Sequence, residues 1–160
     1  VTVSGARARA SAIRPRVSFG EWLTGSFWTF DAPTDERAVD LTLELGPIEF
    51  ASAMGRKDWP LTGIVDAERL ATHRALEGTL SPRLLDERRV PYRIGFEGDD
   101  GRRYELSGEK EWTSLMPLDS VTLLRASLYD DGGEELGRAT LRFDLRADWA
   151  RWLKSFRIRL

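Results

Sequence analysis

From residue 18 onward the chain is dominated by apolar and polar residues that alternate with a period of two, the signature of strands with one face buried. Val39, Leu41, Leu43 and Leu45 alternate with Asp40, Thr42 and Glu44. Val90, Tyr92, Ile94 and Phe96 alternate with Pro91, Arg93 and Glu97. Ala139, Leu141, Phe143 and Leu145 alternate with Arg138, Thr140, Arg142 and Asp144. Shorter runs at residues 48–54, 61–65 and 73–80 predict further strands. Gly98-Asp99-Asp100-Gly101 and Asp130-Asp131-Gly132-Gly133 read as hairpin turns, because Gly and Asp tolerate the left-handed backbone that tight turns demand. A helix is predicted late, over residues 148–156. Asp148 can cap it, and Trp149, Trp152, Leu153 and Phe156 then share one face. Pro82 could open a short helical turn as well.

About eight to ten short antiparallel strands followed by one helix predict an all-β fold, either a sandwich or a closed barrel. Closure removes exposed strand edges, and an eight-stranded barrel can hold one small ligand, so the barrel is the expectation. The helix would then pack outside it or across one end. Residues 1–17 carry Arg7, Arg9, Arg14 and Arg16 without apolar periodicity or the apolar stretch of a secretory signal. They read as a disordered basic arm, dispensable for folding, ahead of one domain over residues 18–160.

Composition narrows the functions. The chain has 160 residues, 41% hydrophobic and 31% charged, an ordinary globular balance for a single domain. Its 24 basic and 26 acidic residues leave a net charge of −2, which makes no electrostatic case for nucleic acid. No apolar run reaches the roughly 20 residues of a membrane helix, so membrane insertion is not expected. The length excludes a complete two-domain flavin or nicotinamide oxidoreductase, and no cofactor is expected. With no Cys there is no disulfide framework or thiolate metal site. Only three of the basic residues are Lys, a bias that points to a GC-rich bacterial genome. The expected location is cytoplasmic, and a homodimer is left open.

The usual catalytic signatures are missing. There is no phosphate-binding Gly loop or nucleophile elbow, and a lone histidine, His73, excludes any site that needs two. No metal ligand set is expected. Lys110 is the residue that stands out. The alternation Tyr104, Leu106, Gly108, Lys110, Trp112 sets its amine on the apolar face of a strand, with Glu105, Ser107, Glu109 and Glu111 opposite. A buried amine must find a carboxylate, a carbonyl or a ligand oxygen, or else snorkel to water. Lys110 and Tyr104 are therefore the candidate catalytic groups, able to polarise a carbonyl. Tyr92, Phe96, Leu106, Trp112, Leu141 and Phe143 are the candidate ligand-binding wall.

Two resemblances follow from short motifs. Gly20-Glu21-Trp22 resembles the Gly-x-Trp at the start of lipocalins, which implies a calycin-like barrel with Trp closing its base. Leu61-Thr62-Gly63-Ile64-Val65, Leu76-Glu77-Gly78-Thr79-Leu80, Tyr92-Arg93-Ile94-Gly95-Phe96 and Leu106-Ser107-Gly108-Glu109-Lys110 form a longer succession. It ends with Leu136-Gly137-Arg138-Ala139 and Leu153-Lys154-Ser155-Phe156. The succession resembles the accessory β-rich domain of bacterial cholesterol-oxidase-like flavoproteins of the glucose-methanol-choline superfamily. That resemblance implies lipid-like substrates but carries over no catalytic residue, since the flavin-binding half is not in this chain.

Three functions are therefore in view. The first is binding of a bulky hydrophobic small molecule (sterol-, polyketide- or acyl-like) inside the barrel. The second is a cofactor-independent cyclase or isomerase acting by shape and positioning. The third is a non-catalytic partner module with a solidly packed barrel.

Overall fold

Eight antiparallel strands follow one another around a closed barrel in the computed structural model, which describes residues 14–49, 58–81, 89–111 and 121–160. They are β1 (Arg16–Thr29), β2 (Ala32–Glu49), β3 (Trp59–Ala67), β4 (Ala71–Leu80), β5 (Arg89–Glu97), β6 (Arg103–Glu111), β7 (Val121–Asp130) and β8 (Glu135–Asp144). Each pairs with the next, and β8 closes the ring by pairing with β1 over residues 24–29. Helix α1 (Leu145–Ser155) leaves β8 directly, and a short β9 (Arg157–Arg159) adds to β1 at residues 16–18.

The all-β barrel with one C-terminal helix matches the expectation from alternation. Two strands were not legible in that pattern. In β1, Glu21, Leu23 and Phe27 are buried, but Trp22 on the other face is half-buried beneath α1. Both faces are therefore partly apolar, which blurs a period of two. In β7 the adjacent Leu123 and Leu124 break the phase, since Leu124 is buried and Leu123 is exposed.

The two ends of the barrel differ. At one end the strands turn tightly, at residues 30–31, 68–70, 98–102 and 131–134. The acid-rich tetrads serve there as turns. Asp130 accepts from the Gly132 and Glu134 amides, and Gly101 and Gly133 take φ of +77° and +81°. Asp99 accepts from the amide and hydroxyl of Thr72 and from Arg74, which ties the turn to β4. Those bonds hold the Asp99 carboxyl down at about 2. A lowered carboxyl stabilises the fold above its ordinary 3.8 and loses that contribution as pH falls toward about 2. The gap in melting temperature between the native chain and Asp99→Asn should therefore close on acidification through that window. A gap that stays constant would show the bonds to be energetically silent.

The other end, the helix end, carries the longer connections at residues 50–58, 81–88 and 112–120 together with α1. The strand expected at residues 48–54 is partly realised, as Ile48 and Glu49 finish β2 and residues 50–54 lie outside the described residues. The helical turn at Pro82 also lies outside them. Strand β1 begins at Arg16, so Arg16 and Val17 belong to the barrel and not to the arm expected over residues 1–17. Arg16 and Val17 are ladder residues, and residues 1–13 lie outside the description.

The inward side chains form one apolar core. Leu41, Leu43, Leu45, Leu61, Val65, Ile94, Leu124, Leu128 and Leu141 are all essentially inaccessible. Packing at this density leaves no slack where strands cross closely. A Cβ on Gly108 would lie 2.1 Å from the Arg125 carbonyl oxygen and 2.6 Å from the Ala126 Cα. Gly108→Ala is expected to destabilise the barrel by about 1–3 kcal/mol, the usual cost of overpacking, as read by urea unfolding. An unchanged midpoint would show that β6 and β7 can part there without loss.

Helix α1 differs in detail from its expectation. It starts at Leu145, so Asp148 lies in its first turn rather than at its cap, and Phe156 lies just past its end. The helix lies outside the barrel along β1. The Gly20 amide donates to Ser155 Oγ at 2.8 Å, and Arg151 stacks 3.8 Å above the Trp22 ring. Phe19 packs on Trp152, Phe156 and Trp59. Trp152, partly buried against the core, anchors the helix, whereas Trp149 and Leu153 are half exposed.

Candidate functional site: a polar bridge across the barrel

Three polar side chains meet inside the apolar barrel near its helix end. Tyr92 is the fourth residue of β5 and Lys110 the penultimate residue of β6. Tyr92 pairs with Gly108, so Lys110, two residues on, is its diagonal neighbour on the same face. Glu21 comes from β1, on the opposite wall, where inward alternation with Leu23 and Phe27 aims it at the lumen. The three are exposed by only 6% (Glu21), 3% (Tyr92) and 5% (Lys110).

Their contacts link the walls. Lys110 Nζ donates to Glu21 Oε1 in a close ion pair. The Tyr92 hydroxyl donates to Glu21 Oε2 at 2.8 Å. The amine also lies 3.5 Å from the Tyr92 hydroxyl, 5.6 Å from the Tyr92 ring centroid and 5.1 Å from that of Phe143. The aromatic faces add attraction for the cation. Both carboxylate oxygens are thus engaged, which is what makes a buried charge tolerable.

Burial dominates the protonation chemistry. It pushes Lys110 down from its ordinary 10.5 to about 7, because an ammonium loses its hydration among leucines and phenylalanines. Burial raises the Tyr92 phenol, which stays protonated and serves as a donor at neutral pH. The site therefore holds exchangeable protons and a carboxylate in a dry environment. The single Tyr92 O–H is committed to Glu21, whereas the Lys110 ammonium carries three protons and gives one to Glu21.

The candidates singled out by sequence divide by height along the barrel. Tyr92 and Phe143 join Lys110. Leu106 and Leu141 are fully packed members of the core. Phe96 stacks on Tyr104 at 5.9 Å, at the tight-turn end. Tyr104 does not work beside Lys110. It donates its hydroxyl to Asp100 at 2.7 Å, and burial together with Asp100 pushes its phenol up to about 12. Alternation puts the two on one face, but six residues of strand separate them by roughly 20 Å. Trp112 lies outside the described residues. His73 stands on the outer surface beside Asp66.

Glu21 is the member of the bridge that sequence reading passed over. Its signal was present, because the phase of Leu23 and Phe27 makes Glu21 an inward acid, complementary to the inward base at Lys110. Among the described residues no group of His, Asp and Glu could hold a metal ion, and no helix is long and apolar enough to cross a membrane. Comparisons with protein-family models, curated proteins and solved structures give no match.

Proposed function

We propose that the barrel, read as calycin-like, binds a bulky hydrophobic molecule at its helix end and orients an oxygen of that molecule at the Glu21–Tyr92–Lys110 bridge. One observation carries the reading: an amine, a carboxylate and a phenol are buried together in an interior that is otherwise apolar. Packing alone is better served by hydrophobic residues, since a buried ion pair rarely outperforms a well-packed apolar replacement. Apolar walls with a few converging polar groups are the usual make-up of a small-molecule site. On this reading the ligand's body lies on the helix-end side of the bridge, in keeping with the tightly filled middle of the barrel. The sterol-, polyketide- or acyl-like class fits such a site, in keeping with the lipid-linked resemblance of the sequence.

The test uses a ketosteroid, a long-chain fatty acid and hydrocarbon analogues of each, followed by calorimetric titration. The oxygenated probes should bind. Lys110→Met should weaken them by about 1.5–3 kcal/mol, the range for a hydrogen bond to a charged group, and leave the hydrocarbons unchanged. Failure of every oxygenated probe to bind, or equal losses for both kinds, would overturn the reading.

A second reading rests on the same bridge. An amine brought to about 7 can exchange a proton at neutral pH, as an acid–base isomerase or cyclase requires. On that reading Lys110→Met abolishes turnover of a bound ketone, whereas a pure carrier leaves it chemically unchanged.

A further inference from the structure

The apolar residues exposed on this protein are not scattered. Among the described residues, seven large hydrophobic side chains are exposed, and five of them fall at the C-terminus: Trp149, Leu153, Phe156, Ile158 and Leu160. Trp149 and Leu153 lie four residues apart on α1, one above the other. Ile158 and Leu160 are exposed by 69% and 90%.

Charge is segregated to the same place. Residues 145–160 contain five basic residues and one acid, a charge of +4 in a chain whose net charge is −2. Arg151, Lys154, Arg157 and Arg159 are exposed, and none forms an ion pair with another described residue. Arg159 lies directly opposite Arg16 in the β9–β1 ladder, and Glu49, opposite Arg16 on the β2 side, is the one acid in that row of three.

We propose that α1 and β9 form a docking face for the surface of an anionic lipid bilayer. A bilayer interface accepts both halves of the pattern. Trp and Leu side chains settle at the boundary between headgroups and acyl chains, and Arg and Lys meet the lipid phosphates and carboxylates. A second copy of the chain would set +4 against +4 and does not suit this face. A nucleic acid would satisfy the arginines but leave the exposed Trp, Leu and Ile without a role. Docking is peripheral, with the barrel outside the membrane. It does not depend on the ligand-binding reading, although it would hold the helix end of the barrel near a source of lipid.

The test is co-sedimentation of the full chain with vesicles of phosphatidylcholine alone and of phosphatidylcholine with roughly 30 mol % phosphatidylserine, at low and high salt. The protein should bind the anionic vesicles, weaken with salt and leave the neutral vesicles largely unbound. Arg157→Gln/Arg159→Gln should lower the affinity by tenfold or more, since each basic residue near an anionic surface contributes substantially. Trp149→Ser/Leu153→Ser should also weaken binding. All four side chains are at the surface, and far-UV circular dichroism of both variants should match the native spectrum. No binding to anionic vesicles, or binding unaffected by either variant, would overturn the proposal. So would salt-sensitive binding to a duplex oligonucleotide without vesicle binding, or self-association that Trp149→Ser/Leu153→Ser abolishes.

Discussion

Glu21→Leu should cost roughly 3–5 kcal/mol of stability near neutral pH, because it strands the Lys110 amine opposite an apolar residue in the barrel interior. Glu21→Leu/Lys110→Met should recover most of that loss, since removing both partners of a buried pair is often neutral or stabilising. The single variant should also depend on pH in a defined direction. Burial lowers the folded-state Lys110 pKa from 10.5 to about 7, and Glu21→Leu leaves that burial in place. Between about 7 and 10.5 the unfolded chain then binds more protons than the folded one, so stability rises with pH across that window. Chemical denaturation of the native chain and both variants across this range measures the effect. A Glu21→Leu protein of native stability at all pH values would show that the amine escapes to water and that no bridge exists.

Leu141→Ala is expected to cost about 2–5 kcal/mol, the range for a large-to-small change at a fully buried leucine. Leu141 has no accessible surface, and its ladder partners are Gly25 and Leu124. Gly25 has no side chain to collapse into the space left behind, so the cavity term should persist. The binding experiment gives this variant a second use. Leu141 lies in the filled core rather than at the bridge, so Leu141→Ala should lower stability while leaving the affinity for oxygenated probes nearly unchanged. Loss of affinity matching that of Lys110→Met, in a protein still folded, would extend the ligand into the centre of the barrel.

Alternation by itself determined that this chain is a β protein with one late helix, and it assigned the inward face of most strands. Burial on one side of a sheet is written locally, residue by residue, with a period of two. Leu41, Leu43 and Leu45, or Ile94 and Phe96, needed no knowledge of their neighbours. The inward setting of Lys110 was legible for the same reason. Tertiary structure decided everything that depends on height and on the facing wall. Tyr104 and Lys110 share a face but sit at opposite ends, because each residue of strand adds about 3.3 Å along the barrel. Glu21 and Lys110 are 89 residues apart in the chain and meet because closure of β8 onto β1 sets β1 across the lumen from the β5–β6 hairpin. The apolar stripe on α1 was equally visible in the sequence, yet only the folded chain shows that Trp152 packs on Phe19 while Trp149 and Leu153 stay in solvent. A helical period fixes which side chains share a face, but β1 covers only part of that face and leaves Trp149 and Leu153 exposed.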